Sequence, residues 1–158
     1  MNKIEIEKIV QAVVSEHTTR TMTLSLAKIL IECIEERARE LGLHVVIAVG
    51  DSSGNIVAVH SMDNAYIASY DIAVKKVFTS ASLKMSTAAL GEMSQPGQSL
   101  YGIQHTNDGK IVIFGGGEAL EVDHKVIGAL GVSGGSAKQD TQLAAFGKEV
   151  FKEVMKCL

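Results

Sequence analysis

Apolar positions change their spacing several times along the chain, and each change marks an element. In the segment 4–14, Ile6, Ile9, Val10 and Val13 recur at helical spacing and predict a short N-terminal helix. The polar run "HTTRT" (His17–Thr21) breaks it. Thr23 is a suitable N-cap for a second helix, whose stripe is Ala27, Leu30, Ile31, Ile34, Ala38 and Leu41. Glu32, Glu35, Glu36, Arg37, Arg39 and Glu40 fall on its water-facing side, and Gly42 suits the position just past its end.

The spacing then shortens. "HVVIAVG" and "NIVAVHSM" flank "DSSG", the pattern of a β-hairpin. Both runs are nearly continuous in apolar residues, which predicts cover on both faces. Ile56, Ala58, His60 and Met62 share one face of the second strand. A helix is expected from Ser69 to Leu83, with Ile72, Ala73, Val77, Phe78 and Ala81 as its stripe. Ser86 caps a short helix through Met93, and "QPGQ" and "NDG" are turn signals. Ile111–Phe114, Glu118–Val122 and Val126–Val132 read as three strands of a meander, with "DHK" as the turn between the last two. Ser136 caps a final helix with Leu143, Phe146, Val150 and Val154 on one face. Strands cluster rather than alternate with helices, so the expected class is α+β with a mainly antiparallel sheet. The expected organisation is an N-terminal helical extension over 1–22 and one domain over 23–158.

Composition narrows the function. The chain has 158 residues, 46% hydrophobic and 21% charged, enough for one globular core. A net charge of −3 argues against nucleic acid, which calls for a basic stripe. No apolar run reaches the length of a membrane span, and the acidic residues in the first segment spoil a signal peptide, so a cytoplasmic protein is expected. Cys33 and Cys157 lack metal-site spacing and read as reduced thiols.

Candidate chemistry is sparse. "VIFGGGEAL" (Val112–Leu120) suggests a phosphate loop, but it lacks the lysine of a P-loop and leads into a β-like run. Its glycines read instead as a strand end that permits a bend and close backbone approach. "GVSGGSAKQD" (Gly131–Asp140) does open a helix, yet Asp140 opposes an anion there; a strand-to-helix turn with Ser136 as cap is the better reading. His17, His44, His60, His105 and His124 show no helical metal spacing. His44 and His124 read as solvated, and His60 as a half-buried strand residue. His105 stands in a loop, and His17 in the polar break between helices. Asp63 and Asn64 sit at a strand-to-helix junction and, with Tyr101 and Gly115, Gly116 and Gly117, outline a candidate small-molecule pocket. No catalytic set emerges, and the expectation leans away from an enzyme.

Four motifs in order, "MDNA" (Met62–Ala65), "QPGQSLYG" (Gln95–Gly102), "VIFGGG" (Val112–Gly117) and "VIGALGVSGGSAKQD" (Val126–Asp140), resemble the GlcG/HbpS-like family. That family includes the C-terminal domain of PduO-type proteins. The resemblance spans about Thr23 to the C-terminus. It implies a five-stranded, mainly antiparallel sheet flanked by helices, and homo-oligomers from dimer to octamer. It also implies haem as cofactor and a role beside diol, glycerol or glycolate enzymes. The PduO-type domains suggest bis-histidine ligation shared between subunits; His17 is the first candidate, followed by His105 and His60. The chain departs from the family just after the triple glycine, where Glu118, Ala119 and Leu120 replace an apolar residue and a proline. Two other readings stand beside haem binding: a small-molecule site or enzyme at the pocket named above, and a non-catalytic assembly module.

Overall fold

The computed structural model describes residues 21–157. The proposed helix over 4–14 and His17 lie outside the described residues. Nine elements are used below. Helix α1 is Leu24–Glu40, strands β1 and β2 are Val46–Asp51 and Ile56–Ser61, and helices α2 and α3 are Ile67–Leu83 and Thr87–Met93. Strands β3 and β4 are Gly117–Val122 and Lys125–Ser133, and helix α4 is Ala137–Lys156. Two short 3-10 turns, Ile103–His105 and Asn107–Gly109, lie between α3 and β3 and count as one connecting segment.

Local chemistry sets the boundaries. Thr23 Oγ1 accepts from Leu26 N at the start of α1, and Gly42 past its end has φ +66°. The β1–β2 turn is held by the Asp51 carboxylate, which accepts from the backbone N–H groups of Ser53 and Asn55 and from Asn55 Nδ2. Slight burial alone would raise the Asp51 carboxyl; those hydrogen bonds outweigh it and hold the group below its ordinary value. Asp123 and His124 both have positive φ, the geometry of a tight two-residue hairpin turn joining β3 to β4. Ser136 and Gln139 form a reciprocal capping box at the start of α4.

The strands form one antiparallel sheet in the order β2-β1-β4-β3. Residues alternate between two helical layers. Ile47, Val49, Leu120, Leu130 and Val132 pack with α1 and α4, whereas Val46, Ala48 and Ala129 pack with α2. The second layer rests on small residues. A Cβ at Gly131 would collide with the carbonyl oxygen of Ala73 on α2, so the helix backbone lies directly on the sheet.

Several expectations are corrected. Four strands form the sheet among the described residues, not five, because Ile111–Phe114 is not a strand. One of its backbone groups is taken by a side chain instead of a strand: Val112 N donates to Thr79 Oγ1 on α2, at 3.0 Å. β2 is an edge strand and stays half exposed, so only β1 of the hairpin is covered on both faces. Leu41 and Phe146 are partly exposed rather than core. The buried stripe of α4 is instead Asp140, Leu143, Ala144, Gly147 and Phe151. Glu35, expected in water, has a side chain only 15% exposed.

Close approach at Gly131 is testable. Gly131→Ala forces α2 off the sheet and is expected to cost about 1–3 kcal/mol, read from urea denaturation midpoints. Full wild-type stability would mean that the layer can shift without loss.

Candidate functional site

Helix α2 carries a lysine on its buried stripe. Ser69, Ala73, Lys76, Val77, Ser80 and Ala81 all face inward, and the Lys76 side chain is 0% exposed. A buried ammonium is costly unless it is paired and hydrogen-bonded. Lys76 Nζ donates to Asp140 Oδ2 at 3.0 Å and to the carbonyl oxygen of Val132 at 2.6 Å. It also stands 5.1 Å from the centre of the Phe114 ring. Burial pushes the Lys76 ammonium below its ordinary value, and the Asp140 charge and hydrogen bond oppose that shift.

Asp140 comes from the first turn of α4, where the helix dipole favours a carboxylate. Its other oxygen, Oδ1, accepts from Gly135 N at 2.8 Å. α2 and α4 lie on opposite faces of the sheet, so the pair ties the two layers together beside the start of β3.

The triple glycine closes over this pair. Gly116 has φ +113°, and a Cβ there would stand 2.5 Å from both Lys76 Nζ and Val132 O, and 2.8 Å from Asp140 Cβ. Gly116 O accepts from Val132 N, and Gly117 N donates to Thr87 Oγ1. A Cβ at Gly117 would meet Ser80 Oγ and Thr87 Cγ2, and one at Gly115 would collide with Thr141 Oγ1. Ser80 Oγ is buried there without a hydrogen-bond partner. Beyond the glycines, Glu118 forms an ion pair with Lys148 of α4 at 2.9 Å.

Outside this cover, a groove of about 600 Å³ runs between α3 and the start of α4, lined by Gly91, Gln95, Ile113, Gly115, Lys138 and Thr141 among others. All three glycines are buried, and Gly115 alone of them lines the groove. Asp63, Asn64 and Tyr101 are exposed and are not among the groove's lining residues.

The candidate haem ligands stand elsewhere. His105 is exposed in a 3-10 turn, and His60 is half-buried on β2 with Nδ1 2.7 Å from Glu35 Oε1. His44 and His124 are exposed, as expected. Among the described residues, no group of three or more His, Cys, Asp or Glu is placed to hold a metal ion. No described helix is long and apolar enough to cross a membrane.

A family model described as haem degrading protein HbpS-like matches residues 22–149. The chain belongs to the HbpS-like family. It is 42% identical over 134 residues to an uncharacterized 15.0 kDa Citrobacter freundii protein from the dhaT-dhaS intergenic region, covering 85% of this chain and 94% of that one. The Klebsiella pneumoniae protein ORFY superposes with a TM-score of 0.83 at 40% identity, covering 86% of this chain and 94% of that one. A PduOC–haem complex superposes with a TM-score of 0.79 at 35% identity, covering 82% and 94%. The resemblance read from the four motifs therefore stands for this HbpS-like chain.

The stripe pattern held a signal that the sequence reading passed over. Lys76 occupies a buried position between Ala73 and Val77, and Asp140 one between Ser136 and Leu143. Opposite charges on two apolar stripes point to an internal pair. Asp140→Ala leaves Lys76 buried and uncompensated and is expected to cost about 3–5 kcal/mol in chemical denaturation. Lys76→Met with Asp140→Leu removes both charges and is expected to recover most of that loss. A double variant as unstable as Asp140→Ala would contradict the assignment.

Proposed function

We propose that this protein binds haem as a homo-oligomer, accessory to an operon for diol, glycerol or glycolate metabolism. The observation that carries the reading is its likeness, over most of both chains, to a PduOC structure determined with haem. The intergenic position in the Citrobacter freundii relative's name supports the operon role. The donor set suits iron, since neutral imidazoles are common axial ligands and their identity tunes the metal. His17, His105 and His60, in that order, are the candidate ligands. Self-association from dimer to octamer is part of the proposal, and so is a cytoplasmic location. The start of α2 supports self-association, since Ile67 is 97% exposed with Tyr66 and Tyr70 beside it.

A second reading is favoured by the groove between α3 and α4. Its wall is largely apolar with a few polar groups, the composition of a small-molecule site. Such a site would bind a ligand without haem.

Hemin added to the purified full-length protein is expected to give a shifted, saturable Soret band. A native mass above that of one chain is expected in the same sample. A spectrum identical to free hemin at all protein concentrations would overturn haem binding. His17→Ala is expected to change the six-coordinate spectrum; an unchanged spectrum would remove His17 from the ligands.

A further inference from the structure

The groove between α3 and α4 has two sides of opposite character. The α3 side offers acceptors: the Glu92 carboxylate, and Oε1 of Gln95, whose Nε2 already donates to Gly91 O at 2.8 Å. The α4 side offers donors: the Lys138 ammonium, and the N–H groups of Ala137 and Lys138, which open the helix and have no intrahelical partner. Glu92 and Lys138 are the two charged residues that line the groove. Neither joins an ion pair among the described residues. Asp140 lies in the same first turn of α4 but does not cancel its positive end. Its charge is met by Lys76, and its other oxygen accepts from Gly135 N.

Between the two sides the floor is backbone. Ile113 O packs directly on Gly91 of α3, and Gly115 packs on Thr141 of α4, with no room for a Cβ at either glycine. No hydrogen bond among the described residues reaches the backbone N–H or C=O of Ile113 or Gly115. Gly115 is buried, and buried peptide groups require a partner. Ile113 and Gly115 are two residues apart, so the floor crosses from one side to the other in about 7 Å. An extended dipeptide separates its ammonium from its carboxylate by a similar length.

We propose that this groove binds a short zwitterionic peptide, of dipeptide size and with small apolar side chains. The inference rests on the small-molecule reading of the groove. Glu92 and Gln95 receive the ligand's ammonium, Lys138 and the first turn of α4 its carboxylate, and the backbone of Ile113 and Gly115 its peptide group. Ala88, Gly91 and Ala137 leave shallow apolar space for its side chains. A simple anion would face Glu92 without a partner for it, and an organic cation would do the same to Lys138. An apolar ligand would leave the floor peptide groups unpaired. A peptide with both ends charged meets all three demands.

The test is a nuclear magnetic resonance titration of the isotope-labelled full-length protein, following the backbone amides of Ile113, Gly115 and Lys138. The probes are alanyl-alanine, its N-acetyl form, its C-terminal amide and isopropanol. Alanyl-alanine is expected to shift these amides saturably, and blocking either end to weaken binding about 3–10-fold. Glu92 and Lys138 are exposed, so their variants keep the fold. Lys138→Gln is expected to erase the preference over the amide, and Glu92→Gln the preference over the N-acetyl form. Preferences that persist in both variants would overturn the roles of these residues. Equal binding of free and blocked peptides would overturn the zwitterion assignment and leave the groove as a small-molecule site. A response to isopropanol with none to any peptide would do the same. No response to any probe would overturn the small-molecule reading as well.

Discussion

A lysine ammonium sealed from water must find its counter-charge and its acceptors inside the protein, and in this fold Lys76 finds them across the sheet. Its partner, Asp140, belongs to the opposite helical layer, and its second acceptor, Val132 O, belongs to β4. One side chain thus joins α2, the central sheet and α4. The costs of such a pair are those of desolvation, and only good geometry offsets them. The surrounding chain has little freedom as a result. Gly116 must lack a Cβ, Gly135 must offer its N–H to Asp140, and α2 must lie close enough for Lys76 to reach.

The α2 layer, to which Lys76 belongs, packs mainly through small residues. Its stripe is built of serine, alanine, valine and lysine rather than large aliphatics, and it meets Ala48, Ala129, Gly117 and Gly131. Backbone-to-backbone approach replaces side-chain interdigitation there. The α1–α4 layer follows the more usual rule, with leucine, isoleucine and Phe151 filling the space. The triple glycine stands where the layers meet. It serves packing, and only Gly115 of the three lines the groove beside it.

Much of this was legible in the sequence. Helices α1, α3 and α4, the hairpin, the β3–β4 turn and the caps at Thr23, Ser86 and Ser136 follow from periodicity and local hydrogen-bond chemistry. The segment Ile111–Phe114 was misread as a strand because its Val112 N–H is taken by Thr79, a residue 33 positions away. Asp140 was read only as opposing an anion, and its pairing with Lys76 escaped because a charge on a stripe reads as an interruption until its opposite is found on another helix. Glu35 escaped for a related reason. Its place on the polar face of α1 is ordinary, and only the sheet edge brings His60 to it. Local rules see neighbours in sequence, and these three residues are defined by neighbours in space.

The triple glycine encloses a charged, water-excluded Lys76–Asp140 pair. Heteronuclear NMR of the lysine side-chain nitrogens near neutral pH tests it most directly. One ammonium resonance is expected, lost in Lys76→Met, whose protons exchange slowly with water and which responds to Asp140→Asn. A Lys76 nitrogen that is neutral, or that exchanges as fast as the surface lysines, would contradict it.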